Sequence, residues 1–255
     1  MLKAVEGQDY VVEAETAEAL GLEGVALKDM KVDVAISVGG DGTILRTLKV
    51  VDSPLLGVNA GVLGFLTEVM PDGIDEAIRR LLRGDYTIDE RLRLKTTMDG
   101  GRLEDAVNEA VIHTAQIAKM RHFSVSVDGH SATKLRADGV IVATPTGSTC
   151  YAMSVGSAII DPRVEALVIA PIAPFRLAAR PFVVPAKSVI DIRVEEPKEC
   201  TMVIDGQDAF EMKGEEKLQF TASEKTAKFI SFEDDFYQDL EEKLISFTPH
   251  AVHRH

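Results

Sequence analysis

A short glycine-rich turn, Gly39-Gly40-Asp41-Gly42-Thr43, carries the strongest chemical signal in the sequence. Glycines between a strand and a helix bring backbone N–H groups to the helix N-terminus, where partial positive charge favours phosphate. Asp41 lies in the middle of the turn. A carboxylate beside a polyphosphate is repelled unless it binds Mg²⁺ or accepts a proton from an attacking hydroxyl, and both roles belong to phosphoryl transfer. The alternative is a tight turn in which Asp41 only caps the following helix.

The segments around this turn predict α/β structure. Residues 32–38 form a β-branched apolar run typical of a buried strand, and residues 55–58 predict a second short strand. Apolar residues at helical spacing follow the turn, with Thr43 as the expected N-cap. Another helical stripe begins at Ile74 and ends before Gly84. The glycine turn is therefore expected to join a strand to a helix.

From about residue 92 the apolar period changes to two, which indicates strands. The dipeptide Asp-Gly between alternating segments predicts β-hairpins at residues 99–100, 128–129 and 205–206. Further strands are expected at residues 140–143, 166–169, 189–194 and 201–204. One helix is expected at residues 148–159, and an amphipathic helix near the C-terminus is indicated by Phe232, Phe236, Leu240 and Leu244. The change of period is the one candidate domain boundary.

Composition disfavours several classes of protein. The 255 residues include 28 basic and 41 acidic side chains, and the net charge of −13 argues against nucleic acid or an acidic membrane surface as a partner. The apolar runs are shorter than the roughly 20 residues of a membrane-spanning helix, and we expect that the acidic residues 1–15 do not act as a signal peptide. We therefore expect a cytoplasmic protein in which Cys150 and Cys200 are reduced thiols. An anionic ligand must then be attracted by local groups or a metal ion.

Several further segments resemble motifs of the NAD kinases, in that family's order. The glycine turn alone is shared with diacylglycerol kinases, sphingoid lipid kinases and phosphofructokinases, so the other segments carry the resemblance. They are Gly57-Val58-Asn59-Ala60-Gly61-Val62-Leu63-Gly64-Phe65-Leu66, Asn108-Glu109, Arg136-Ala137-Asp138-Gly139, Thr144-Pro145-Thr146-Gly147-Ser148-Thr149-Cys150-Tyr151, Ile172-Ala173-Pro174, Arg180-Pro181 and Asp205-Gly206-Gln207. The resemblance extends from about residue 30 to about residue 245.

The resemblance implies an α/β plus all-β architecture. Residues 1–92 would form a Rossmann-like α/β catalytic domain, completed by a C-terminal helix in residues 232–255 that returns to it. Residues 93–231 would form a β-rich, β-sandwich-like NAD-binding domain. The family also implies a homodimer or homotetramer, with substrate sites that include residues from a neighbouring subunit.

The implied activity is phosphorylation of the 2′-hydroxyl of the adenosine ribose of NAD, which gives NADP. ATP or polyphosphate would be the donor, with Mg²⁺ or another divalent metal ion, and Asp41 would be the catalytic base. The implied donor-phosphate residues are Gly39, Gly40, Gly42, Thr43 and Arg46. The implied NAD contacts are Asp41, Gly42, Phe65, Asn108, Glu109, Lys119, Arg136, Asp138, Thr146, Thr149, Cys150, Tyr151, Ala152, Met153, Ser154, Ala173 and Gln207. The resemblance assigns no metal ligands.

The sequence leaves two other functions open. A lipid kinase with the same glycine turn would need an apolar acceptor site, and the polar segment 144–154 argues against it. A non-catalytic dinucleotide sensor is the other alternative, because only 38 residues precede Gly39 where the family has a longer leading region. Residues 10–12 and 14–20 are the expected remnants of its strand and helix.

The chain also departs from the family pattern at individual positions. Cys150 replaces an alanine, Phe175 replaces a histidine found in many relatives, and Ser157 replaces a glycine. None of these changes removes a group that the chemistry needs. The C-terminal histidines at positions 250, 253 and 255 are expected to be a frayed tail rather than a metal site.

Overall fold

The chain divides into two compact units, which we describe separately. The computed structural model describes residues 5, 7–60, 64–233 and 236–245. The first unit contains the described residues up to Asp89 and those from Lys228 onward, and the second contains Glu90–Ala227. The histidine tail and residues 61–63 of the glycine-rich segment lie outside the described residues.

The first unit has α/β structure. It contains helices α1 (Ala14–Leu20), α2 (Asp41–Leu48) and α3 (Ile74–Arg83) and strands β1 (Ala35–Gly39) and β2 (Leu55–Asn59). β1 and β2 are parallel, with Gly39 opposite Asn59 at their carboxyl ends. Their apolar side chains pack against α3 in a cluster formed by Leu56, Val58, Val69, Ala77 and Ile230. Because parallel strands end at the same edge, the segments that follow β1 and β2 are adjacent.

The second unit begins with six consecutive strands along the chain. These are β3 (Thr87–Met98, which starts in the first unit), β4 (Gly101–Arg102), β5 (Glu109–Thr114), β6 (Arg121–Val127), β7 (His130–Ala137) and β8 (Gly139–Ala143). A 3₁₀ turn at Thr146–Thr149 and helix α4 (Tyr151–Ser154) follow. The remaining strands are β9 (Ala166–Ile172), β10 (Phe182–Pro185), β11 (Ile190–Val194), β12 (Cys200–Ile204), β13 (Asp208–Met212) and β14 (Leu218–Ser231, which ends in the first unit).

These strands form a β-sandwich. One sheet has the order β14-β11-β6-β7, with β3 paired to β14 and to β4, and the other has the order β10-β9-β8-β5-β12-β13. Alternate side chains of the two sheets meet in one core, where Phe123 and Phe220 from the first sheet pack with Ile112, Leu167 and Met202 from the second. The second sheet is buried on its other face as well, where Ile141 and Val168 pack against Ala152 and Ile160.

The predicted α/β plus β-rich fold class is confirmed, and so are the three hairpins. Asp99-Gly100, Asp128-Gly129 and Asp205-Gly206 all have positive φ angles, from 49° to 81°. Two consecutive left-handed residues define a type I′ turn, and its twist matches that of the flanking strands. The Asp-Gly signal is local, which is why the sequence alone predicted these turns.

Four predictions about individual elements were wrong. Residues 10–12 form no strand; beside them only an isolated bridge joins Glu13 to Val25. Gly40, not Thr43, is the N-cap of α2, because the Gly40 carbonyl accepts the first helical bonds from Thr43 and Ile44. The helix expected at residues 148–159 is limited to the four residues of α4, after a 3₁₀ turn.

The fourth is the start of the C-terminal helix, which was expected at residue 232; the helix itself is present and belongs to the first unit. The described part begins only at α5 (Phe236–Leu240) and continues as a π-helical turn, Glu241–Ile245. Phe232 precedes the described part of the helix, and the guanidinium carbon of Arg80 lies 4.6 Å from the Phe232 ring centroid. Residues 246–255 lie outside the described part.

Candidate active site

The glycine turn of the first unit holds Asp41 at the first position of α2. Asp41 Oδ2 accepts a hydrogen bond from the backbone N–H of Phe65 at 3.0 Å, and Oδ1 accepts one from the N–H of Leu66 at 3.1 Å. The donors follow β2 and the acceptor follows β1, so the parallel pairing of the two strands brings them together. Both carboxylate oxygens are thereby fixed, and each keeps a further lone pair for a ligand.

The glycines of the turn have different surroundings. A Cβ atom at Gly39 would lie 2.5 Å from Thr43 Oγ1, and one at Gly64 would lie 2.1 Å from Asp41 Oδ1. At Gly40 and Gly42, in contrast, an added Cβ would meet nothing within 4 Å. Packing therefore requires glycine at positions 39 and 64, whereas positions 40 and 42 leave the exposed side of the turn accessible to a phosphate group.

Arg46 lies on the same side of α2 as Gly42. The two residues are separated by four positions, which places them on one helix face, and both are exposed. Thr43 lies in the first turn of the helix, with its side chain against Gly39. The five residues predicted for the donor phosphates thus lie within one strand end and one short helix.

In the second unit, Asp205 organises the start of β5. Its Oδ2 accepts from the N–H of Val107 at 2.8 Å, and its Oδ1 accepts from those of Asn108 at 2.8 Å and Glu109 at 3.1 Å. The sequence predicts Asp205 only as a hairpin residue. The Asp-Gly signal predicts its left-handed backbone, with φ 49°. No local signal predicts the hydrogen bonds from its carboxylate to backbone N–H groups 96 to 98 residues earlier.

The segment after β8 lies beside the start of β5. The N–H of Thr144 donates to the Asn108 carbonyl at 2.8 Å, and the Thr144 hydroxyl donates to the Val107 carbonyl at 2.6 Å. A Cβ atom at Gly147 would lie 2.2 Å from the Asn108 carbonyl oxygen, so this close approach requires glycine. The Asn108-Glu109 and Thr146-Gly147 segments are therefore packed backbone to backbone.

The hydroxyl groups of this segment differ in whether they have a hydrogen-bond partner. The Ser148 hydroxyl is within donating distance of the carbonyls of Pro145 and Ile160. The Thr149 hydroxyl donates to the Thr146 carbonyl at 3.1 Å. Of the other predicted contacts here, Ala152 is fully buried in the apolar cluster of the second sheet, whereas the Tyr151 side chain is accessible, with the residue 39% exposed. Cys150 and Met153 are half-buried, and Ser154 is exposed.

Buried polar atoms without partners are concentrated at these positions. Eight buried side-chain atoms in the described part of the chain have no hydrogen-bond partner, and four belong to predicted NAD contacts: Asn108 Oδ1, Glu109 Oε2, Asp138 Oδ1 and Thr146 Oγ1. An unpaired buried polar group costs about 1–3 kcal/mol, so such groups are expected where a polar ligand completes the bonding. Three of these residues, Asn108, Glu109 and Thr146, lie together at the start of β5.

Glu109 also has a perturbed acidity. Burial raises its pKa to about 8, and the negative charge of Asp205 adds to the effect. A carboxyl group that is protonated at neutral pH can donate a hydrogen bond, which an ionised one cannot. Asn108 Oδ1 and Glu109 therefore offer an acceptor and a donor next to each other.

A second group of predicted NAD contacts lies at the opposite end of the same sheet. Asp138 precedes β8; its backbone N–H donates to the Ile172 carbonyl at 3.0 Å, and its backbone carbonyl accepts from the N–H of Thr114 at 2.9 Å. The five residues of β8 separate this end from the start of β5 by about 16 Å at 3.3 Å per residue. Within one chain, Asp138 therefore lies far from Asn108, although both are predicted NAD contacts.

The other members of this second group are solvent-exposed. The Arg136 guanidinium carbon lies 5.2 Å from the centroid of the Phe175 ring, and Ala173 has a φ of 43°. Lys119 is exposed in the loop after β5. Gln207 lies instead at the Asn108 end, where it donates its backbone N–H to the Ile204 carbonyl at 2.9 Å in the Asp205-Gly206 turn.

No helix among the described residues is long and apolar enough to cross a membrane. The same part of the chain contains no group of three or more His, Cys, Asp or Glu side chains that could hold a metal ion by itself. Mg²⁺ in phosphoryl-transfer sites is usually held by one or two carboxylates together with substrate phosphates. Asp41, beside the exposed glycines, fits that donor set.

These features define a class of protein: a two-unit phosphotransferase with a glycine turn that can hold phosphate and a β-sandwich that carries unpaired buried polar groups. Comparison with known proteins specifies the family. The model for the ATP-NAD kinase N-terminal domain matches residues 8–86, and the model for the ATP-NAD kinase C-terminal domain matches residues 107–232. The chain belongs to the NAD kinase family.

Individual relatives agree with this assignment. The chain is 45% identical to an NAD kinase from Methanothermobacter thermautotrophicus, over 87% of its own length and 80% of the relative. The crystal structure of an NAD kinase from Archaeoglobus fulgidus in complex with ATP is 30% identical, with a TM-score of 0.75 over 90% of this chain and 92% of that one. Yeast NADH kinase complexed with NADH has the same fold, with a TM-score of 0.82 at 23% identity over 91% of this chain and 73% of that one. The prediction of an NAD kinase is confirmed, and a lipid kinase is not favoured.

Proposed function

We propose that this chain transfers a phosphoryl group to the 2′-hydroxyl of the adenosine ribose of NAD and so produces NADP, with ATP or polyphosphate as the donor. The observation that carries this proposal is the Asp41 carboxylate, held by two backbone N–H groups next to a phosphate-accessible glycine turn. The A. fulgidus relative in complex with ATP supports ATP as the first donor to test.

Asp41 is the proposed catalytic base. The hydrogen bonds from Phe65 and Leu66 fix both oxygens, so a free lone pair on either one has a defined direction. A ribose hydroxyl placed within hydrogen-bond distance can transfer its proton to this carboxylate as its oxygen attacks the terminal phosphorus atom. The bond from that phosphorus to the bridging oxygen of the donor breaks, and the leaving group is ADP when ATP is the donor or a chain shortened by one phosphate when polyphosphate is the donor.

The divalent metal ion is proposed to arrive bound to the donor phosphates, because the described residues contain no group of three or more His, Cys, Asp or Glu side chains that could hold it by themselves. When bound, the ion would neutralise phosphate charge. Gly40, Gly42 and Arg46 would contact the same phosphate groups from the protein side. These contacts offset the repulsion expected from the net charge of −13.

The second unit is the proposed NAD-binding unit. Asn108 Oδ1, the protonated Glu109 carboxyl and the Thr146 hydroxyl supply one acceptor, one donor and one group that can do both. Adjacent ribose hydroxyls and the edge of adenine require such a mixture. The partly exposed ring of Tyr151 can stack on a base.

The contacts predicted at Arg136, Asp138, Lys119 and Ala173 are proposed to come from a neighbouring subunit of a homodimer or homotetramer. Their place at the far end of the second sheet, about 16 Å from Asn108, supports this division. A mixture of two inactive variants, one altered at Asp41 and one at Asp138, tests it. Activity should return on mixing if each site uses Asp138 of the partner subunit, whereas no recovery would contradict a shared site.

A matrix of donors and acceptors on the purified protein tests the proposed reaction. ATP, other nucleotides and polyphosphate would each be combined with NAD and NADH in the presence of Mg²⁺, and formation of the phosphorylated product would be measured. Binding of NAD without turnover for any donor would contradict the proposed reaction and favour a dinucleotide sensor.

A further inference from the structure

The C-terminal segment buries a lysine against the residue that holds Asp41. The Lys243 side chain is only 7% exposed, and its Nζ lies 5.8 Å from the centroid of the Phe65 ring. Lysine is almost never buried without a partner. Asp239 supplies one at 2.9 Å, but that carboxylate is itself 49% exposed.

Phe65 connects this lysine to the proposed catalytic base. Its ring faces the ammonium group of Lys243, and its backbone N–H donates to Asp41 Oδ2 at 3.0 Å. A displacement of Phe65 therefore displaces a hydrogen-bond donor of Asp41. Through this one residue, the C-terminal segment can influence the direction of the carboxylate.

The rest of this contact region is fixed independently of Lys243. Glu68, three residues after Phe65, accepts from the N–H of Phe232 at 2.6 Å and from the Ser231 hydroxyl at 3.2 Å. Arg80 donates to the Phe232 carbonyl at 3.2 Å. These bonds attach the start of the C-terminal segment, so loss of the Lys243 side chain should change the position of Phe65 without releasing the segment.

We propose that Lys243 is a positioning residue for the phosphoryl transfer: it acts through the Phe65 ring to keep the Phe65 and Leu66 amides directed at the Asp41 carboxylate. The inference rests on the proposed function for its catalytic consequence. The contact itself is a cation–π interaction, which requires a positive charge near the face of the ring. Its electrostatic strength is increased by burial, because water screens a buried charge less.

Activity measurements on variants test the catalytic consequence. Lys243→Met keeps the length of the side chain but loses its charge, and we expect kcat to fall about tenfold with an unchanged KM for ATP. Lys243→Arg retains a cation that can stack on the ring and should restore most of the activity. Lys28→Met, which removes an exposed charge from the same unit, should behave as the unaltered protein. In a Phe65→Leu background, Lys243→Met should have no further effect, because the ring through which it acts is already absent.

Hydrogen exchange of the Phe65 and Leu66 amides, measured residue by residue, tests the positioning directly. We expect faster exchange of both amides in Lys243→Met and unchanged exchange in Lys28→Met and Lys243→Arg. Asp41→Ala provides the reference for loss of the acceptor. Unchanged exchange in Lys243→Met overturns the inference whatever the activity. If the unaltered protein phosphorylates NAD with none of the donors, the proposed function is overturned instead, while the exchange result still decides the role of Lys243.

Discussion

The carboxylate of Asp205 accepts a 2.8 Å hydrogen bond from the backbone N–H of Asn108, which precedes it by 97 residues. The same carboxylate also binds the N–H groups of Val107 and Glu109. Three backbone donors are thus satisfied by one buried side chain, directly beside the unpaired Asn108 Oδ1. The Asp205-Gly206 turn thereby fixes the start of β5, where the proposed NAD contacts lie.

Asp205→Asn is expected to weaken NAD binding. The amide has one acceptor oxygen instead of two, so at least one of the three N–H groups loses its partner, at a cost of about 1–3 kcal/mol. We expect KM for NAD to rise at least tenfold and the free energy of unfolding to fall. Steady-state kinetics and urea unfolding measure the two effects.

Asp128→Asn is the matched control for that change. Asp128 occupies the same position of another Asp-Gly hairpin and accepts from the N–H of Val189 at 2.8 Å, away from the predicted NAD contacts. It should lower stability without changing KM for NAD. Equal effects of the two substitutions on KM would show that Asp205 has no specific role at the site.

Asp41→Asn should fold and lose turnover. The substitution keeps the size of the side chain but removes the basic carboxylate, and general-base catalysis contributes about 10²- to 10⁴-fold to a rate. The rate of NADP formation at saturating NAD and ATP measures the loss. Asp33→Asn, an exposed acidic residue of the same unit, is the control. A rate for Asp41→Asn equal to that of the control would refute the assignment of the base.

Gly40→Ala should weaken donor binding without destabilising the fold. Gly40 has a φ of −100°, which alanine also adopts, and the added methyl group meets no protein atom within 4 Å. The methyl group would instead occupy the space proposed for a donor phosphate. We expect KM for ATP to rise about tenfold with an unchanged melting temperature.

Gly73→Ala controls for the change of residue type. Its added Cβ would lie 3.5 Å from Val69 Cγ1, an ordinary contact away from the turn. Kinetics with ATP as the varied substrate should be unaffected. If Gly40→Ala binds ATP as well as this control does, the phosphate does not approach the turn at Gly40.

The raised pKa of Glu109 should make the free energy of unfolding depend on pH. Because its pKa is raised from 4.5 to about 8 in the folded protein, the folded state retains a proton that the unfolded state has lost between these values. The free energy of unfolding should therefore decrease as pH rises through this range, by at most about 1.4 kcal/mol per pH unit from this group. Urea unfolding at several pH values measures the slope.

Glu109→Gln should remove that contribution, since the amide does not titrate. Glu211→Gln, an exposed acidic residue on a neighbouring hairpin of the same unit, should leave the slope unchanged. The amide introduced at position 109 also donates hydrogen bonds, as the protonated carboxyl does, so NAD binding should be largely retained at neutral pH. A slope in Glu109→Gln equal to that of the unaltered protein would contradict the raised pKa.

The sequence by itself determined the features that depend on neighbouring residues. The glycine turn with Asp41, the three type I′ hairpins and the change from helical to strand periodicity are encoded within a few positions each. The order of the motifs was sufficient to indicate the family. Local patterns were less reliable for the ends of helices: α4 stops after four residues, and Gly40 rather than Thr43 is the N-cap of α2.

Only the tertiary structure decided which distant groups meet. The Phe65 and Leu66 amides reach Asp41 because β1 and β2 are parallel and in register, and Asp205 reaches Asn108 because β12 lies beside β5. The same strand pairing places Asp138 at the other end of the second sheet from Asn108, although both belong to the predicted NAD contacts. Strand order and register arise from packing both faces of a sheet, and no short segment of sequence contains that information.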